Sequence, residues 1–299
     1  MTGTLAGRGL ATRSLRRPLR GYAFFLPTLL IFGLFSWYPL VRGIILAFQN
    51  DNLVSSATWS GLTNFRTVLD DGMFTTAWKN TGEFVLLGLL FGYAVPLVVA
   101  VWLSEMRHWQ GFLRVLIYLP VVLPPVVSVL MWQWFYDPSS GLFNEMLRAL
   151  HLPTSQWIQS SGSAMVSLVL EATWAGFGGT ALIYVAALQG VSGRLYEAAE
   201  LDGAGFFRRL WHITMPQMRF ILLVMLLLQV IGTMQVFTEP YVMTDGGPTN
   251  STTTVVLQIY NYAFVDNNYG AAAALSVILA AVLGLLTVVY LALTRRWSE

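Results

Sequence analysis

Glu171 and Trp174 place a carboxylate and an indole inside an otherwise apolar stretch of the chain, 164–188. At a spacing of three residues they share roughly one face of a helix, together with Ala175 and Gly178. A carboxylate accepts hydrogen bonds from hydroxyl groups, and an indole can stack on a pyranose ring, so the pair would suit a sugar. Alternatively, Glu171 is hydrated at a helix end or caps packing between helices, because a charge in an apolar medium needs a partner.

Gln229 and Thr233 form a second polar feature, within the apolar stretch 220–237. Residues four apart lie on one side of a helix, so the two side chains make a polar stripe on an aliphatic surface. Such a stripe could line a polar pathway. It could equally hydrogen-bond to a neighbouring helix or to a second subunit, which is the common use of amides and hydroxyls between apolar helices.

The residues with stronger chemistry do not form a catalytic pattern. The chain has no cysteine, and its three histidines, His108, His151 and His212, are far apart and outside any known metal or nucleophile motif. A phosphate-binding loop of the form GxxxxGK[ST] requires a lysine, and the single lysine, Lys79, lies in Thr76-Ala-Trp-Lys-Asn80. We therefore expect no enzyme activity, no metal site and no cofactor bound by this chain.

The composition identifies the class of protein. Hydrophobic residues make up 56% of the 299 residues, charged residues only 11%, and the mean hydropathy is +0.61. A soluble chain of this length could not cover such a composition with polar surface, so an integral membrane protein is predicted. The net charge of +2 is too small for nucleic-acid binding.

Apolar runs of about 20 residues, long enough to cross a bilayer, predict an all-α bundle of six transmembrane helices. Pro120, Pro124 and Pro125 lie in the third run and predict a bent or broken helix. Gly88 and Gly92, four residues apart in the second run, predict close packing of a neighbouring helix. The six runs are approximately 22–48, 83–103, 116–135, 164–188, 220–237 and 271–293.

The arginines give the orientation of the bundle. They concentrate in a basic tail at residues 1–20, after the second run, within 190–219 and at the C-terminus, whereas the opposite loops hold few. Basic residues favour the cytoplasmic side of a membrane, so both termini are expected in the cytoplasm. The outer segments 49–82, 137–163 and 238–270 are rich in Asn, Asp, Ser, Thr and Gly, which predicts loops and turns.

Residues 190–219 are too polar to cross a bilayer, yet they have helical patterning. The pattern predicts one short helix stopped by Gly203, since glycine adopts the left-handed conformation at little cost, and a second from about Phe206 that ends at Pro216. Phe207 and Trp211 share an apolar stripe on the second helix. That stripe would be covered either by a partner protein or by the lipid surface.

A long, fixed spacing within this segment carries a family resemblance. Glu197-Ala198-Ala199, Gly203 and the closing Ile213-Thr-Met-Pro216 resemble the EAA loop of the permease subunits of bacterial binding-protein-dependent ABC importers. The family pattern is EAA, three residues, Gly, nine residues and I-x-L-P, and the one departure is Met215 in place of Leu.

The resemblance implies a coupling role for the segment. In the family, this loop forms the coupling helices that sit in a cleft of the ATP-binding subunit. It implies that Glu197 and Gly203 shape the docking segment, and that Phe206, Phe207 and Trp211 fill the cleft. ATP and Mg would then be bound by two separate ATP-binding subunits.

Further stretches resemble the sugar-permease branch of this family, the relatives of maltose and glycerol-3-phosphate permeases. They are Gly61-Leu-Thr-Asn-Phe65, Asn80-Thr81, Tyr118-Leu-Pro120, Thr244-Asp-Gly-Gly-Pro-Thr-Asn250 and Tyr269-Gly-Ala-Ala-Ala-Ala-Leu-Ser276. The resemblance implies a homologous second permease, an extracytoplasmic solute-binding protein and a bacterial plasma-membrane location.

The substrate that the sequence favours is a neutral mono- or oligosaccharide. A phosphate in the pathway would ordinarily require a cationic partner, and no Arg, Lys or His lies securely inside a predicted span. Glycerol-3-phosphate and glycerophosphodiesters remain alternatives because a second permease could supply the charge. An ion-driven carrier is a more distant alternative, since such carriers usually have inverted repeats and more intramembrane acids.

Overall fold

The computed structural model describes residues 25–50, 57–106 and 109–295. The basic tail at 1–20, Arg107 and Arg296 lie outside these ranges, and so do the first residues of the first apolar run. A two-residue antiparallel ladder pairs β1 (Gln49–Asn50) with β2 (Thr58–Trp59), with Gln49 opposite Trp59. The helices are α1 Phe25–Leu46, α2 Thr63–Asp70, α3 Gly72–Glu105, α4 Gln110–Val122, α5 Pro125–Phe135, α6 Leu142–Ala149, α7 Ala164–Gln189, α8 Gly193–Leu201, α9 Phe206–Met234, α10 Val255–Val265 and α11 Tyr269–Thr294.

Within the described ranges, five helices are long and apolar enough to cross a membrane: α1, α3, α7, α9 and α11. A sixth crossing is reached if the bent pair α4 and α5 counts as one span. The all-helical membrane bundle is therefore confirmed.

The predicted third span is not one continuous helix. α4 and α5 meet at an angle of 96°. Leu123 and Pro124 have extended backbones at the break, and Pro125 opens α5. A proline has no N–H to donate and its ring clashes with the preceding turn, so two successive prolines end one helix and start the next. The predicted break is confirmed.

The core is built where α3 passes between α7, α9 and α11. Towards one end of α3, Ala77 packs with α10 and α11; towards the other, Ala100 and Leu103 pack with Tyr184 of α7 and Met218 of α9. α1 contributes little to this core, since none of its most apolar 18-residue window is buried. Its apolar surface is left for lipid or another protein chain.

The outer segments predicted as loops contain helices, α2, α6 and α10, which is a correction. α2 and α10 each bury an apolar residue against the bundle, Val68 and Leu257. α6 instead packs the Phe143 ring on Trp132 and Phe135 of α5. Burial against the bundle outweighed the polar composition, because most helix stability in proteins comes from packing one face.

The outer segments are tied down by asparagine and threonine side chains. Asn80 donates from Nδ2 to the carbonyls of Asn250 (2.8 Å) and Thr253 (3.0 Å), and the Thr81 hydroxyl accepts from Val255 N–H. Asn64 donates to the Ala47 and Gln49 carbonyls. The sequence stretches that carry the sugar-permease resemblance thus include ties between the outer loops and the bundle.

Candidate functional site: a cavity and a polar elbow

A cavity of about 440 Å³ lies between α3, α7 and α9 and is partly open. This volume falls within the range that small-molecule sites occupy. Its lining combines glycines, hydroxyls and amides with aromatic rings. The lining residues are Phe84, Gly88, Gly92, Val169, Ala172, Thr173, Gly176, Phe177, Thr180, Met225, Leu228, Gln229, Gly232, Thr233, Gln235, Val236, Phe237, Thr238 and Glu239.

Two glycines of α3 allow α9 to approach closely at the cavity wall. A Cβ on Gly88 would lie 2.8 Å from Thr233 Cγ2, and one on Gly92 would lie 2.7 Å from Gln229 Nε2. Both distances are shorter than van der Waals contact allows. The close packing predicted from the Gly88 and Gly92 pair is confirmed.

Gln229 and Thr233 both line this cavity, as one of the two hypotheses from the sequence requires. Gln229 also donates from Nε2 to the Gly88 carbonyl at 3.2 Å, so it makes an interhelical hydrogen bond within the chain as well. The Thr233 hydroxyl donates to the Gln229 carbonyl at 2.8 Å.

α7 presents a stripe to the cavity that sequence analysis missed. Thr173, Gly176, Phe177 and Thr180 line it at spacings of three, four and seven residues. The signal was present in the sequence as two hydroxyls and an aromatic ring at helical spacing. The sequence does not distinguish this face of α7 from the face of Glu171, because both carry polar residues at helical spacing.

Glu171 and Trp174 lie outside the cavity lining. Glu171 is 1% exposed, and its Oε1 accepts a hydrogen bond of 2.5 Å from the Ser128 hydroxyl of α5. The Trp174 ring packs 5.5 Å from the ring of Trp132, also on α5. Gly178, on the same face, sits where a Cβ would come within 2.1 Å of the Ile117 carbonyl oxygen. This geometry matches the alternative in which Glu171 caps packing between helices.

Glu239 follows α9 and contributes a carboxylate to the cavity mouth. Burial raises its pKa. Beyond it, aromatic rings lead away from the cavity: Phe237 stacks on Tyr241 at 5.0 Å, Tyr241 lies 4.8 Å from Tyr260, and Tyr260 lies 5.0 Å from Phe264. We call these four residues the aromatic ladder.

The polar segment forms an elbow, defined here as residues 193–216. α8 ends as predicted: Gly203 has φ +74°, its N–H donates to the Glu200 carbonyl, and the Ala204 N–H donates to the Ala199 carbonyl. This pair of bonds is the glycine-based helix stop expected from the sequence. Glu197 and Ala198 are exposed on α8.

The predicted end of the second elbow helix at Pro216 is wrong, because α9 runs from Phe206 through Pro216 to Met234. A π-helical turn, Leu210–Thr214, ends two residues before the proline, and Met215 N–H donates to the Leu210 carbonyl. This wider turn accommodates the proline ring, which would otherwise clash with the carbonyl one turn earlier.

Aromatic residues of the elbow face the end of α3. Phe207 and Trp211 line an apolar groove of about 410 Å³ with Leu97, Val98 and Trp102. Phe206, Phe207 and Trp211 remain 40%, 73% and 64% exposed. Ile213 is half-buried and Pro216 is exposed.

Among the described residues there is no group of three or more His, Cys, Asp or Glu that could hold a metal.

Residues 84–299 match the family described as binding-protein-dependent transport system inner membrane component, and the chain belongs to this family. It is therefore a multi-pass membrane protein and a transport component without catalytic activity of its own.

Named relatives and a solved structure agree with this assignment. The chain is 31% identical to the probable ABC transporter permease protein YurN of Bacillus subtilis (strain 168), over 86% of this chain and 89% of YurN. It is 30% identical to the trehalose/maltose transport system permease protein MalF of Thermococcus litoralis, over 92% and 93%. Its fold matches a chain of a bacterial alginate ABC transporter, crystallised in complex with an alginate pentasaccharide-bound periplasmic protein, with a TM-score of 0.85 at 24% identity, covering 97% and 99% of the two chains.

Proposed function

We propose that this chain is the permease subunit of an ABC importer for a neutral mono- or oligosaccharide. The observation that carries the proposal is the cavity between α3, α7 and α9, whose lining combines hydroxyls, amides and aromatic rings in a chain of this family. Hydroxyl and amide groups exchange hydrogen bonds with sugar hydroxyls, and aromatic rings stack on sugar rings. The relative named for trehalose and maltose transport supports a carbohydrate substrate.

The charges of the cavity favour a neutral substrate. Its lining in the described chain contains Glu239 but no Arg, Lys or His. A phosphate group would be repelled by this carboxylate and would need a cation from elsewhere. Glycerol-3-phosphate or a glycerophosphodiester would therefore require the second permease to supply an arginine or lysine.

The aromatic ladder offers a route for a sugar to the cavity. Phe237 lines the cavity, whereas Phe264 at the far end of the ladder is 67% exposed. A solute-binding protein docked on the outer segments could release a sugar onto these rings. The ladder therefore supports delivery from the side of the membrane opposite the elbow.

A homologous second permease would complete the pathway. The cavity is partly open, and α1 presents an apolar surface that is unburied within this chain. A second bundle facing the first would close both surfaces. Two ATP-binding subunits, which carry ATP and Mg, would dock on the elbow at the cytoplasmic face, and both termini would lie on that face as well.

On the elbow, Glu197, Ala198 and Ala199 would meet the cleft of an ATP-binding subunit, with Gly203 fixing the bend. The exposed Phe206, Phe207 and Trp211 would enter the same contact. Ile213 and Pro216 connect it to α9, the helix that carries Gln229 and Thr233. A push on the elbow would therefore reach the cavity along one helix.

Purification and uptake test the proposal together. Tagged chain should co-purify with a second permease and with ATP-binding subunits, and the assembled transporter in proteoliposomes should take up radiolabelled trehalose or maltose with ATP. Excess unlabelled glycerol-3-phosphate should not compete. Competition by the phosphate ester would overturn the neutral-sugar assignment, and purification without ATP-binding subunits would overturn the importer mechanism.

A further inference from the structure

The elbow is fastened to itself at two points. Arg209 Nη1 donates to Glu200 Oε1 in an ion pair, and the Tyr196 and Thr214 hydroxyls are hydrogen-bonded at 2.9 Å. Each contact joins α8 to the first part of α9. We call these four residues the clasp.

The π turn of α9 places Arg209 and Thr214 on the same face of the helix, so that both can contact α8. Tyr196 and Glu200 are four residues apart and share a face of α8. Arg209 and Thr214 are five residues apart, a spacing that a regular α-helix places about 140° apart around its axis. The π turn Leu210–Thr214 forms hydrogen bonds between residues five apart, so it brings such residues onto one face.

The clasp spans a short joint, at which the backbone hydrogen bonds among the described residues close the end of α8 but do not link it to α9. Only three residues separate Asp202, at the end of α8, from Phe206, the first residue of α9, and two of them are Gly203 and Gly205. Glycine permits a wide range of backbone conformations, so the angle between the helices needs fixing by side chains. An exposed ion pair alone contributes little, but Thr214 is only 5% exposed, which shields the second contact from water.

The clasp also borders other helix ends. Tyr196, Glu200, Arg209 and Thr214 line a cavity of about 400 Å³ together with residues from the ends of α3, α4 and α7. These include Glu105, Gln110 and Gln189. A displacement of the elbow as a unit would act on all of these ends at once.

We propose that Arg209 and Thr214 are positioning residues that make α8 and the start of α9 move as one rigid lever. This inference rests on the proposed function, because it needs an ATP-binding subunit to push on α8. Without the clasp, the same push would bend the glycine joint and would reach α9 only in part.

Distance measurements between spin labels test the clasp directly. The chain has no cysteine, so Leu201→Cys on α8 and Gln217→Cys on α9, both at exposed positions, give one label on each arm. Double electron–electron resonance is recorded on the assembled transporter in nanodiscs, without nucleotide and with Mg–AMP-PNP. The unsubstituted clasp should give one narrow distance distribution in both states.

The combined substitution Thr214→Val and Arg209→Glu should widen that distribution roughly twofold and should lower the uptake obtained per ATP hydrolysed by roughly threefold, since it removes both coupled contacts. Two conservative variants should keep the narrow distance distribution of the unsubstituted chain. They are Thr214→Ser, which keeps the hydroxyl, and the exchange Glu200→Arg with Arg209→Glu, which keeps an ion pair. The matched control is the same exchange in the Glu145–Arg148 ion pair of α6, which should change neither quantity.

An unchanged width in the combined variant would overturn the clasp even when the ATP-binding subunits still co-purify. Equal widening of the distance distribution in Thr214→Ser and in the charge exchange would also overturn the clasp, because it would indicate a general loosening of the fold. If the unsubstituted chain purifies without ATP-binding subunits, the proposed function fails, and the nucleotide-free width still decides whether the clasp holds the joint.

Discussion

The elbow and the cavity differ in how the chain builds them. The elbow is one continuous segment, 193–216, whose bend depends on Gly203 and on bonds between residues at most 18 positions apart. The cavity draws its walls from α3, α7 and α9, so Gly88 and Gln229 come together across more than a hundred residues. A structure formed by one contiguous segment can be recognised from its sequence motif, whereas a site assembled from three helices depends on which face each helix turns inward.

The largest effect should come from the face of α7 that packs against α4. Gly178→Ala would place a Cβ 2.1 Å from the Ile117 carbonyl oxygen, which is backbone and cannot rotate away. Overpacking of this kind costs about 1–3 kcal/mol, so the unfolding midpoint of the purified chain in detergent should fall clearly. Gly179→Ala is the matched control, because a Cβ there meets nothing within 4 Å. Equal midpoints for the two variants would contradict the packing of this face.

Substitutions of Glu171 test whether this residue stabilises the packing of α7 on α5 or contacts the substrate. Glu171→Ala should destabilise the chain by about 1–3 kcal/mol, since it leaves the Ser128 hydroxyl without its buried acceptor. Glu171→Gln keeps an acceptor and should leave the sugar affinity in uptake assays close to that of the parent chain. A large rise in the uptake KM for Glu171→Gln alone would return this residue to the substrate pathway.

Substitution of Gly203 tests whether the left-handed backbone at this residue determines the bend of the elbow. Gly203→Ala forces a side chain into the left-handed region at φ +74°, at a cost of about 1 kcal/mol, while a Cβ there meets nothing within 4 Å. ATP hydrolysis stimulated by the loaded binding protein should fall, whereas thermal stability of the bundle should hardly change. Gly205→Ala, at φ −69°, is the control. Similar losses in the two variants would argue against a conformational role for Gly203.

Thr180 tests the cavity stripe that sequence analysis missed. Thr180→Val keeps the shape and removes the hydroxyl, so the uptake KM should rise by about 5- to 10-fold, the effect of about one hydrogen bond. The unfolding midpoint should stay within the small range expected for a position at an open cavity. An unchanged KM would indicate that the sugar does not contact this stripe of α7.

Substitution of Glu239 should give the smallest change in stability, and that change should depend on pH. Because burial raises its folded-state pKa, the ionised carboxylate is disfavoured in the fold, and the stability present at low pH is lost as the pH rises through that pKa. Glu239→Gln cannot ionise, so its unfolding midpoint should gain on that of the parent chain as the pH increases from 4 to 8. A difference that is constant with pH would contradict the burial of this carboxylate.

Much of the fold could be predicted from the sequence because its signals are local. Apolar runs fixed the helical bundle, Pro124 and Pro125 placed the break between α4 and α5, and Gly203 placed the end of α8. Pro216 was misinterpreted, because a π turn needs only one extra residue per turn and leaves no compositional trace. The outer helices α2, α6 and α10 were missed because the bundle, and not their composition, stabilises them.

The amino-acid sequence by itself determined that this chain lies in a membrane, that its segment 190–219 resembles an EAA loop, and that it contains no phosphate-binding loop motif. These properties depend on residue types and short spacings. Only the tertiary structure decided that Glu171 and Trp174 pack against α5 while Thr173 and Thr180 face the cavity with Gln229 and Thr233. The reason is geometric: one helix has several polar positions, and its neighbours, which lie far away in sequence, determine which of them meet solvent or substrate.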